Sequence, residues 1–254
     1  MVNFPQEYET ALKELYPDGP DWDLVGVLTR GSRVYTLSYD SKILSGIFEI
    51  LSEPIIKRVA EKNGMEIHKA AQNQYPEFSL VDKKRPFEKV AIDIKSTYRR
   101  HKPNGGVMPY AFTLGSYRSY LRDPKGKKGI LFPYAHYTHH WVIGFVYDRN
   151  PKCAFTDIKQ ILDATKLETP YTNIQYFIQE KYRIAGKFAG SYNTTNISSF
   201  KSSNIEDFRN GKGPFSTSKE FEEYWGAFEQ VKRETKSSTL ALDFDNDTGD
   251  SDIF

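Results

Sequence analysis

The chain has 254 residues, of which 15% are aromatic, and a formal net charge of +2. This length suffices for one large domain or two small ones with a sizeable core. The last twelve residues hold five aspartates and no basic residue, which leaves +7 on residues 1–242 and suits binding to a polyanion. The single cysteine, Cys153, excludes an intramolecular disulfide and a cysteine-only zinc site.

Three features of the sequence bear on the cellular compartment of the protein. One cysteine fits a reducing compartment, the N-terminus MVNFPQEYET lacks a signal-peptide pattern, and no apolar run approaches the length of a membrane span. We therefore expect a soluble cytoplasmic protein with no membrane partner.

Apolar periodicity, caps and turn residues predict the secondary structure. The helix predicted from Ser41 to about Lys62 is capped by Asp40 or Ser41, kinked at Pro54 and closed by Gly64. In chain order, the predicted elements are a helix over 7–15, a hairpin with strands DLVGVLT and RVYTLS around the turn RGS, the helix over 41–62, strands near 78–82 and 90–97 joined by KKRPFEK, a helix near 113–122 that begins at Thr113, a strand HHWVIGFVYD, one or two strands in NIQYFIQEKYRIAG, and a terminal amphipathic helix SKEFEEYWGAFEQVKRET that begins at Ser218.

Strands that alternate with helices predict an α/β (α+β) fold with a mixed central sheet flanked by helices. No repeat and no long linker divides the chain, so we expect a single domain over 1–235. The residues from 236 to 254 form an acidic tail whose composition is typical of disorder.

Charged residues interrupt one apolar strand. In VAIDIKSTY the side chains of Asp93 and Lys95 are two apart and point to the same face, and the strand over 78–82 would bring Glu77 next to Asp93. Two carboxylates suit a Mg²⁺ ion, and Lys95 could stabilise charge on a reacting phosphate. From spacing alone, a surface ion pair between Asp93 and Lys95 outside the packed face is the commoner explanation.

The stretches YPEFSL and VAIDIKSTY together resemble the PD-(D/E)xK motif of restriction-type nucleases. The similarity extends to type II restriction endonucleases of the EcoRV type. It is carried, in order from about Asp23 to Trp225, by SKILSGIFEILSEPIIKRVAEKNG, QNQYPEFSLV, FTLGSYRSYLR, HHWVIGFVY and IAGKFAGSYNTTNISS. Several of these stretches are long and are not general features of α/β folds.

This resemblance implies a restriction-endonuclease-like fold. Its parts would be an N-terminal dimerisation hairpin at about 20–40, a catalytic core at about 41–180 and a DNA-recognition part at about 181–235. It further implies a bacterial homodimer that cuts double-stranded DNA with Mg²⁺, for which Mn²⁺ can substitute. The site would be a short GATATC-like palindrome, cut to blunt ends with 5′-phosphates. A cognate DNA methyltransferase would act on the same site without direct contact.

By position, the resemblance assigns Glu77 and Asp93 as metal-binding carboxylates and Lys95 as the catalytic lysine. Glu49 in IFEIL would be an auxiliary acid and metal ligand; the alternative is a solvated helix residue. The family has Pro-Asp where this chain has Pro76-Glu77. Because Mg²⁺ is strict about geometry, the longer side chain leaves open a DNA-binding protein with impaired cleavage.

GSYNTTN is the second informative stretch, because Asn can bond an adenine edge and Thr can contact a thymine methyl group. By composition alone it is a polar turn. The resemblance makes it a major-groove recognition loop in which a tyrosine replaces a glycine, and it makes the loop AAQNQ a second contact. The residues expected to contact DNA are Gly190, Tyr192, Asn193, Thr194, Asn196, Gln72, Asn73, Thr97 and Ser119.

Other motifs carry less weight. The basic clusters RRHK (99–102) and KGKK (125–128) fit phosphate contacts and solvated loops equally well. The three histidines at 136, 139 and 140 lack partners at zinc-ligand spacing, and DFDNDTG in the tail departs from a calcium loop at its glycine and at position twelve. We expect no metal at either place.

The interpretation we favour is therefore a Mg²⁺-dependent type II restriction endonuclease. Three alternatives are a PD-(D/E)xK nuclease of the repair type, a sequence-specific DNA-binding protein without cleavage, and a structural α/β protein. Cleavage of DNA at one fixed sequence would distinguish a restriction endonuclease from all three alternatives.

Overall fold

The structure is a computed structural model, and it describes residues 2–115, 118–190 and 196–228. The strands are β1 (Gly26–Leu28), β2 (Arg33–Thr36), β3 (Met65–Lys69), β4 (Phe78–Asp82), β5 (Arg85–Tyr98), β6 (Tyr137–Arg149), β7 (Ile158–Gln160), β8 (Tyr171–Glu180), β9 (Ala185–Ala189) and β10 (Ile197–Ser199). The helices are α1 (Phe4–Leu15), α2 (Ser41–Lys62), α3 (Arg118–Arg122), α4 (Lys181–Ile184), α5 (Ile205–Arg209) and α6 (Ser218–Ala227).

A five-stranded mixed sheet forms the centre of the molecule, in the order β3-β4-β5-β6-β8. Only β5 and β6 pair in parallel; the other neighbours are antiparallel. Two small sheets, β1-β2-β7 and β9-β10, lie outside it. With helices packed on the central sheet, this arrangement confirms the predicted fold class.

Helices α1 and α2 cover one face of the central sheet. Their apolar sides pack with alternate residues of β5 and β6, including Ile92 and Phe145, in one buried cluster. The side chain of Asp40 caps α2 by accepting hydrogen bonds from the N–H groups of Lys42 (2.8 Å) and Ile43 (3.3 Å). Gly64 ends α2 with a φ of +63°, which a glycine adopts without strain. The predicted limits of this helix and its Asp40 cap are confirmed.

The opposite face of the sheet packs against a second buried cluster. It joins β5 and β6 to the segment 110–114, the β9-β10 hairpin and α6, and it includes Ala91, Val142 and Phe177. Phe177 lies over Gly144 of the neighbouring strand, where an added Cβ would come within 2.2 Å of its ring. A glycine at 144 thus makes room for a large aromatic side chain beside the charged residues of β5.

Several predicted boundaries are wrong. Helix α1 begins at Phe4, with Asn3 as its N-cap and Pro5 in its first turn, where proline loses no helical hydrogen bond. Within the stretch 113–122 that is predicted to be a helix, the structure describes a helix over Arg118–Arg122, and Thr113 forms a β-bridge with Ser198 instead of a helix cap. Helix α6 is capped by Thr217 and not by Ser218.

The strand predictions also need revision. Strand β3 was not predicted, and β5 begins at Arg85, inside the stretch expected to be a loop. The two strands of the predicted hairpin pair as β1 and β2, and β7 extends them to a three-stranded sheet; the dimerisation role of this hairpin stays a prediction. NIQYFIQEKYRIAG contains the short helix α4 between β8 and β9. Helix α6 ends at Ala227, before the predicted end at Thr235. Residues 229–235 of that prediction, the tail over 236–254 and its DFDNDTG motif lie outside the described residues.

Candidate active site

Glu77 and Asp93 are brought together by the pairing of β4 with β5. Phe78 pairs with Ile92 in this antiparallel register, so Glu77, one residue before Phe78, lies beside Asp93. The backbone N–H of Ile94 donates to Oε2 of Glu77 at 3.2 Å. The longer side chain of glutamate therefore still places its carboxylate at the strand that carries Asp93.

Lys95 bridges the two carboxylates. Its Nζ lies 2.8 Å from Oε1 of Glu77 and 2.8 Å from Oδ1 of Asp93. The expectation that this pair lies outside the packed face is wrong for Asp93, whose side chain is 2% exposed. The side chains of Lys95 and Glu77 are 21% and 23% exposed, so these two residues line the side of the site that is open to solvent.

A second lysine completes the group from the interior. Nζ of Lys181, the first residue of α4, lies 2.9 Å from Oδ2 of Asp93, and its side chain is 1% exposed. The same ammonium donates to the carbonyl of Leu114 at 3.3 Å and lies 4.1 Å from the centre of the Tyr75 ring. Asp93 thus has an ammonium group on each of its two oxygens.

The four charges set each other's pKa values. Burial and the neighbouring Asp93 carboxylate raise the pKa of Glu77 to about 8. Burial alone would also raise the pKa of Asp93, but the charges of Lys181 and Lys95 outweigh it and hold that pKa below its usual range. Burial lowers the pKa of Lys181 to about 8, whereas the two carboxylates hold the pKa of Lys95 above its usual value despite burial. At neutral pH Asp93 is therefore an anion and Lys95 a cation.

Aromatic residues enclose the interior side of the site. The Tyr75 hydroxyl and Nδ1 of His140 are 2.8 Å apart and share a hydrogen bond, and the His140 ring stacks on Tyr134 with centroids 4.7 Å apart. Burial lowers the pKa of His140 well below its usual value, so this ring is neutral. His139 instead pairs with Glu180 at 2.5 Å. These contacts give two of the three histidines structural partners and hold Tyr75 under the ammonium of Lys181.

The carboxylate pair suits a divalent metal ion. Carboxylate oxygens are the ligands that Mg²⁺ and similar ions prefer, and the structure already holds a cationic group between Glu77 and Asp93. Glu49 is partly buried on α2, which covers the other face of the sheet, and no hydrogen bond or ion pair of this side chain is found among the described residues. Those residues contain no group of three or more His, Cys, Asp or Glu side chains able to hold a metal ion. A third ligand from Glu49 stays a prediction.

The residues predicted to contact DNA lie at several places. Thr97 is on β5 two residues beyond Lys95, on the same face, and Ser119 is exposed on α3. Gln72 and Asn73 are exposed in a turn where Asn73 has a φ of +66°.

The recognition loop is described only at its ends. Gly190 is exposed, and its N–H donates to the carbonyl of Asn196 at 2.8 Å, which closes the base of the loop. Tyr192, Asn193 and Thr194 lie outside the described residues. The contacts of all these residues with DNA stay predictions.

Sequence reasoning missed Lys181 and the aromatic residues around it. Lys181 stands in FIQEKYRIAG as one charged residue among several, and nothing in its spacing separates it from the exposed lysines of the chain. Its distance of 88 positions from Asp93 hides the contact until β8 is placed beside β6.

Comparison with known proteins agrees with this geometry. The family model for restriction endonuclease EcoRV matches residues 18–246. The type II restriction enzyme EcoRV of Escherichia coli is 38% identical over 224 residues, which cover 87% of this chain and 89% of that enzyme. The family acts on double-stranded DNA and is generally dependent on a divalent metal, which the carboxylate pair of Glu77 and Asp93 could bind. The chain therefore belongs to the EcoRV restriction endonuclease family and is a type II site-specific deoxyribonuclease.

Proposed function

We propose that this enzyme cuts both strands of a short GATATC-like palindrome to blunt ends with 5′-phosphates, and that it requires Mg²⁺, for which Mn²⁺ can substitute. The observation that carries this proposal is the contact of Lys95 with both Glu77 and Asp93, at 2.8 Å each. The carboxylate of Glu77, which replaces the family's aspartate, thus contacts the same ammonium group as Asp93 does, and this supports the proposal.

Each residue of the site has a part in the proposed hydrolysis. Asp93, an anion in the interior, and Glu77, at the open side, would hold the metal ion, with Glu49 as the predicted auxiliary acid. When bound, the ion supplies a Lewis-acid charge to the scissile phosphate. Water would attack the phosphorus in line with the bond to the 3′-oxygen; that bond breaks, and the 3′-oxygen leaves and takes up a proton to become a 3′-hydroxyl. Lys95 keeps its proton and faces the open side, so it would stabilise the negative charge that develops on the phosphate during this step.

The proposal includes a homodimer. A palindrome is read by two copies related by a two-fold axis. Exposed apolar side chains lie on β1 of the predicted dimerisation hairpin, on the neighbouring strand β7 and on the helical turn Ile161–Lys166 that follows it, and such a patch is typical of an interface. They are Val27 (59% exposed), Leu28 (58%), Ile158 (48%) and Leu162 (90%).

A restriction function has two further consequences. An enzyme that cuts a fixed sequence needs a DNA methyltransferase that protects the same sequence in its host, and it acts where bacterial DNA is present, in the cytoplasm. Among the described residues, no helix combines the length and the apolar character needed to cross a bilayer.

The test is to incubate the purified protein with phage DNA and Mg²⁺ and to sequence the ends. We expect blunt ends with 5′-phosphates at one palindrome, and no cleavage in EDTA. Ends at many unrelated sequences would instead indicate a nuclease of the repair type. A gel shift without cleavage in either Mg²⁺ or Mn²⁺ would indicate a binding protein.

Base recognition can be tested at Asn193. If Asn193 contacts an adenine edge, Asn193→Ala should lose about 1–3 kcal/mol of discrimination at one base position, symmetrically in both half-sites. The salt-dependent affinity for unrelated DNA should stay constant, because it comes from lysine and arginine contacts with phosphates. The measurement is competition binding in Ca²⁺ against single-base variants of the mapped site. A uniform loss of affinity that follows a lower melting temperature would make the loop a structural turn.

A further inference from the structure

The buried ammonium group of Lys181 is costly unless it has a specific role. Its side chain is 1% exposed and its partner Asp93 is 2% exposed, so both ions have lost their water. Two charges in a protein interior rarely stabilise a fold more than apolar side chains of the same volume would. A fold that needed only packing at this position would be served as well by leucine or methionine.

The contacts of Lys181 fix its ammonium group from three directions. Nζ lies 2.9 Å from Oδ2 of Asp93, donates to the carbonyl of Leu114 at 3.3 Å and lies 4.1 Å from the centre of the Tyr75 ring. Leu114 is itself held, because its N–H donates to the carbonyl of Ile197 at 2.8 Å. The ammonium is thus anchored to backbone and to an aromatic face, and it can act as a fixed support for Asp93.

The orientation of the Asp93 carboxylate follows from this support. Lys181 takes Oδ2 on the interior side, which directs Oδ1 toward Lys95 at 2.8 Å and toward the site that Glu77 shares. Without the contact to Oδ2, Asp93 would keep only its contacts with Lys95 and Glu77 at the open side of the site, and either carboxylate oxygen could make those contacts.

We propose that Lys181 is a positioning residue of the nuclease: it holds Oδ2 of Asp93 so that Oδ1 is presented to Glu77, Lys95 and a bound divalent cation. This inference rests on the proposed metal-dependent cleavage at Glu77 and Asp93. Groups that hold a ligating carboxylate from behind typically account for about 10–100-fold in metal affinity or activity.

The test compares Lys181→Met with the wild type in two measurements. Calorimetric titration of Ca²⁺ into the complex with cognate DNA reports metal binding without cleavage, and single-turnover cleavage in Mg²⁺ reports the chemical step. We expect the Ca²⁺ affinity and the cleavage rate each to fall by about 10–100-fold, with the affinity for cognate DNA in EDTA unchanged.

Lys89→Met is the matched control. Lys89 is also a buried lysine, 5% exposed, on the same strand as Asp93, but its ammonium contacts the carbonyl of Pro86 and lies 4.8 Å from the centre of the Phe132 ring. We expect this variant to keep both the Ca²⁺ affinity and the cleavage rate of the wild type. If Lys181→Met does not fold, Lys181→Gln is measured in its place; because its amide can still donate a hydrogen bond to Oδ2, we expect a loss in the same direction, of at least threefold in both measurements.

Two results separate the proposals. If the folded Lys181 variant binds Ca²⁺ and cuts DNA within threefold of the wild type, while Asp93→Ala abolishes cleavage, Lys181 has a structural role only and this inference is wrong. If the wild type itself neither binds Ca²⁺ nor cuts DNA in Mg²⁺, the proposed function has failed, and the inference fails with it.

Discussion

The two faces of strand β5 differ in what they bury. Val90, Ile92 and Ile94 point to the face under α1 and α2, where the cluster is made of apolar side chains. Asp93 and Lys95 point to the other face, where the neighbouring Ala91 belongs to a second apolar cluster but the charged residues meet Glu77 and Lys181. Adjacent residues of one strand thus belong to environments with opposite demands.

This difference shows how a nuclease site can lie partly within a protein core without destabilising the fold. The apolar face stabilises the strand by removing hydrocarbon from water. The charged face is tolerated because each of its carboxylates and ammonium groups lies within 3 Å of a group of the opposite kind. The strand is held by one face so that the other can carry chemistry.

The largest effect is expected at the charged face. Asp93→Ala and Lys95→Ala should each lower the cleavage rate by about 10³-fold or more, because metal binding and charge stabilisation act together. Asp93→Ala also leaves the ammonium of Lys181 buried without its carboxylate, and we expect a loss of about 3–5 kcal/mol in the free energy of unfolding. Cleavage of plasmid DNA and urea denaturation measure the two effects. Cleavage near the wild-type rate in either variant would place the catalytic centre elsewhere.

The apolar face should respond in stability alone. Ile92→Ala removes a fully buried side chain one position from Asp93, and we expect the free energy of unfolding to fall by about 2–5 kcal/mol. The cleavage rate per folded molecule should stay within a few-fold of the wild type at low temperature. Ile50→Ala is the control, because Ile50 is 65% exposed on α2 and its loss should change stability by less than about 0.5 kcal/mol. A large loss of cleavage in folded Ile92→Ala would show that the two faces are not independent.

The smallest effect is a pH dependence that Glu77 should cause in the absence of metal. Its folded-state pKa, about 8, lies above the value of 4.5 expected for the unfolded chain, so the folded protein holds the proton more tightly. Stability from this group is therefore fully present below about pH 4.5 and is lost as pH rises toward 8. Between pH 5 and 7.5 we expect a loss of about 1–3 kcal/mol, from at most about 1.4 kcal/mol per pH unit and some solvent screening.

The control for this pH dependence is Glu77→Gln, measured by urea denaturation in EDTA at the same two pH values. The other ionisable groups are the same in both proteins, so the difference between wild type and variant isolates Glu77. An equal pH dependence in the two proteins would mean that Glu77 is ionised at neutral pH, as an ordinary surface carboxylate is.

We expect Lys181→Met to have an effect between those of the charged-face variants and the apolar-face variants. Lys181 acts from inside the second cluster, so its loss should affect stability and metal binding together, unlike a residue of the apolar face. The charged face would then be a unit in which the buried pair positions the exposed pair.

The amino-acid sequence by itself determined the elements whose signals are local. The limits of α2 follow from its apolar stripe, the Asp40 cap and Gly64, and the shared face of Asp93 and Lys95 follows from the two-residue period of strands. Family membership could also be read from long stretches in order, and comparison confirmed it.

The tertiary structure decided what depends on residues far apart in the chain. Thr113 ends in a bridge with Ser198 and not in a helix cap, and β3 is a strand because β4 pairs with it. Burial of Asp93 and its ion pair with Lys181 arise only when β8 and α4 pack beside β6. The physical reason is that backbone propensity and capping act over a few residues, whereas the cost of a buried charge and the partner that offsets it depend on which segments meet in space.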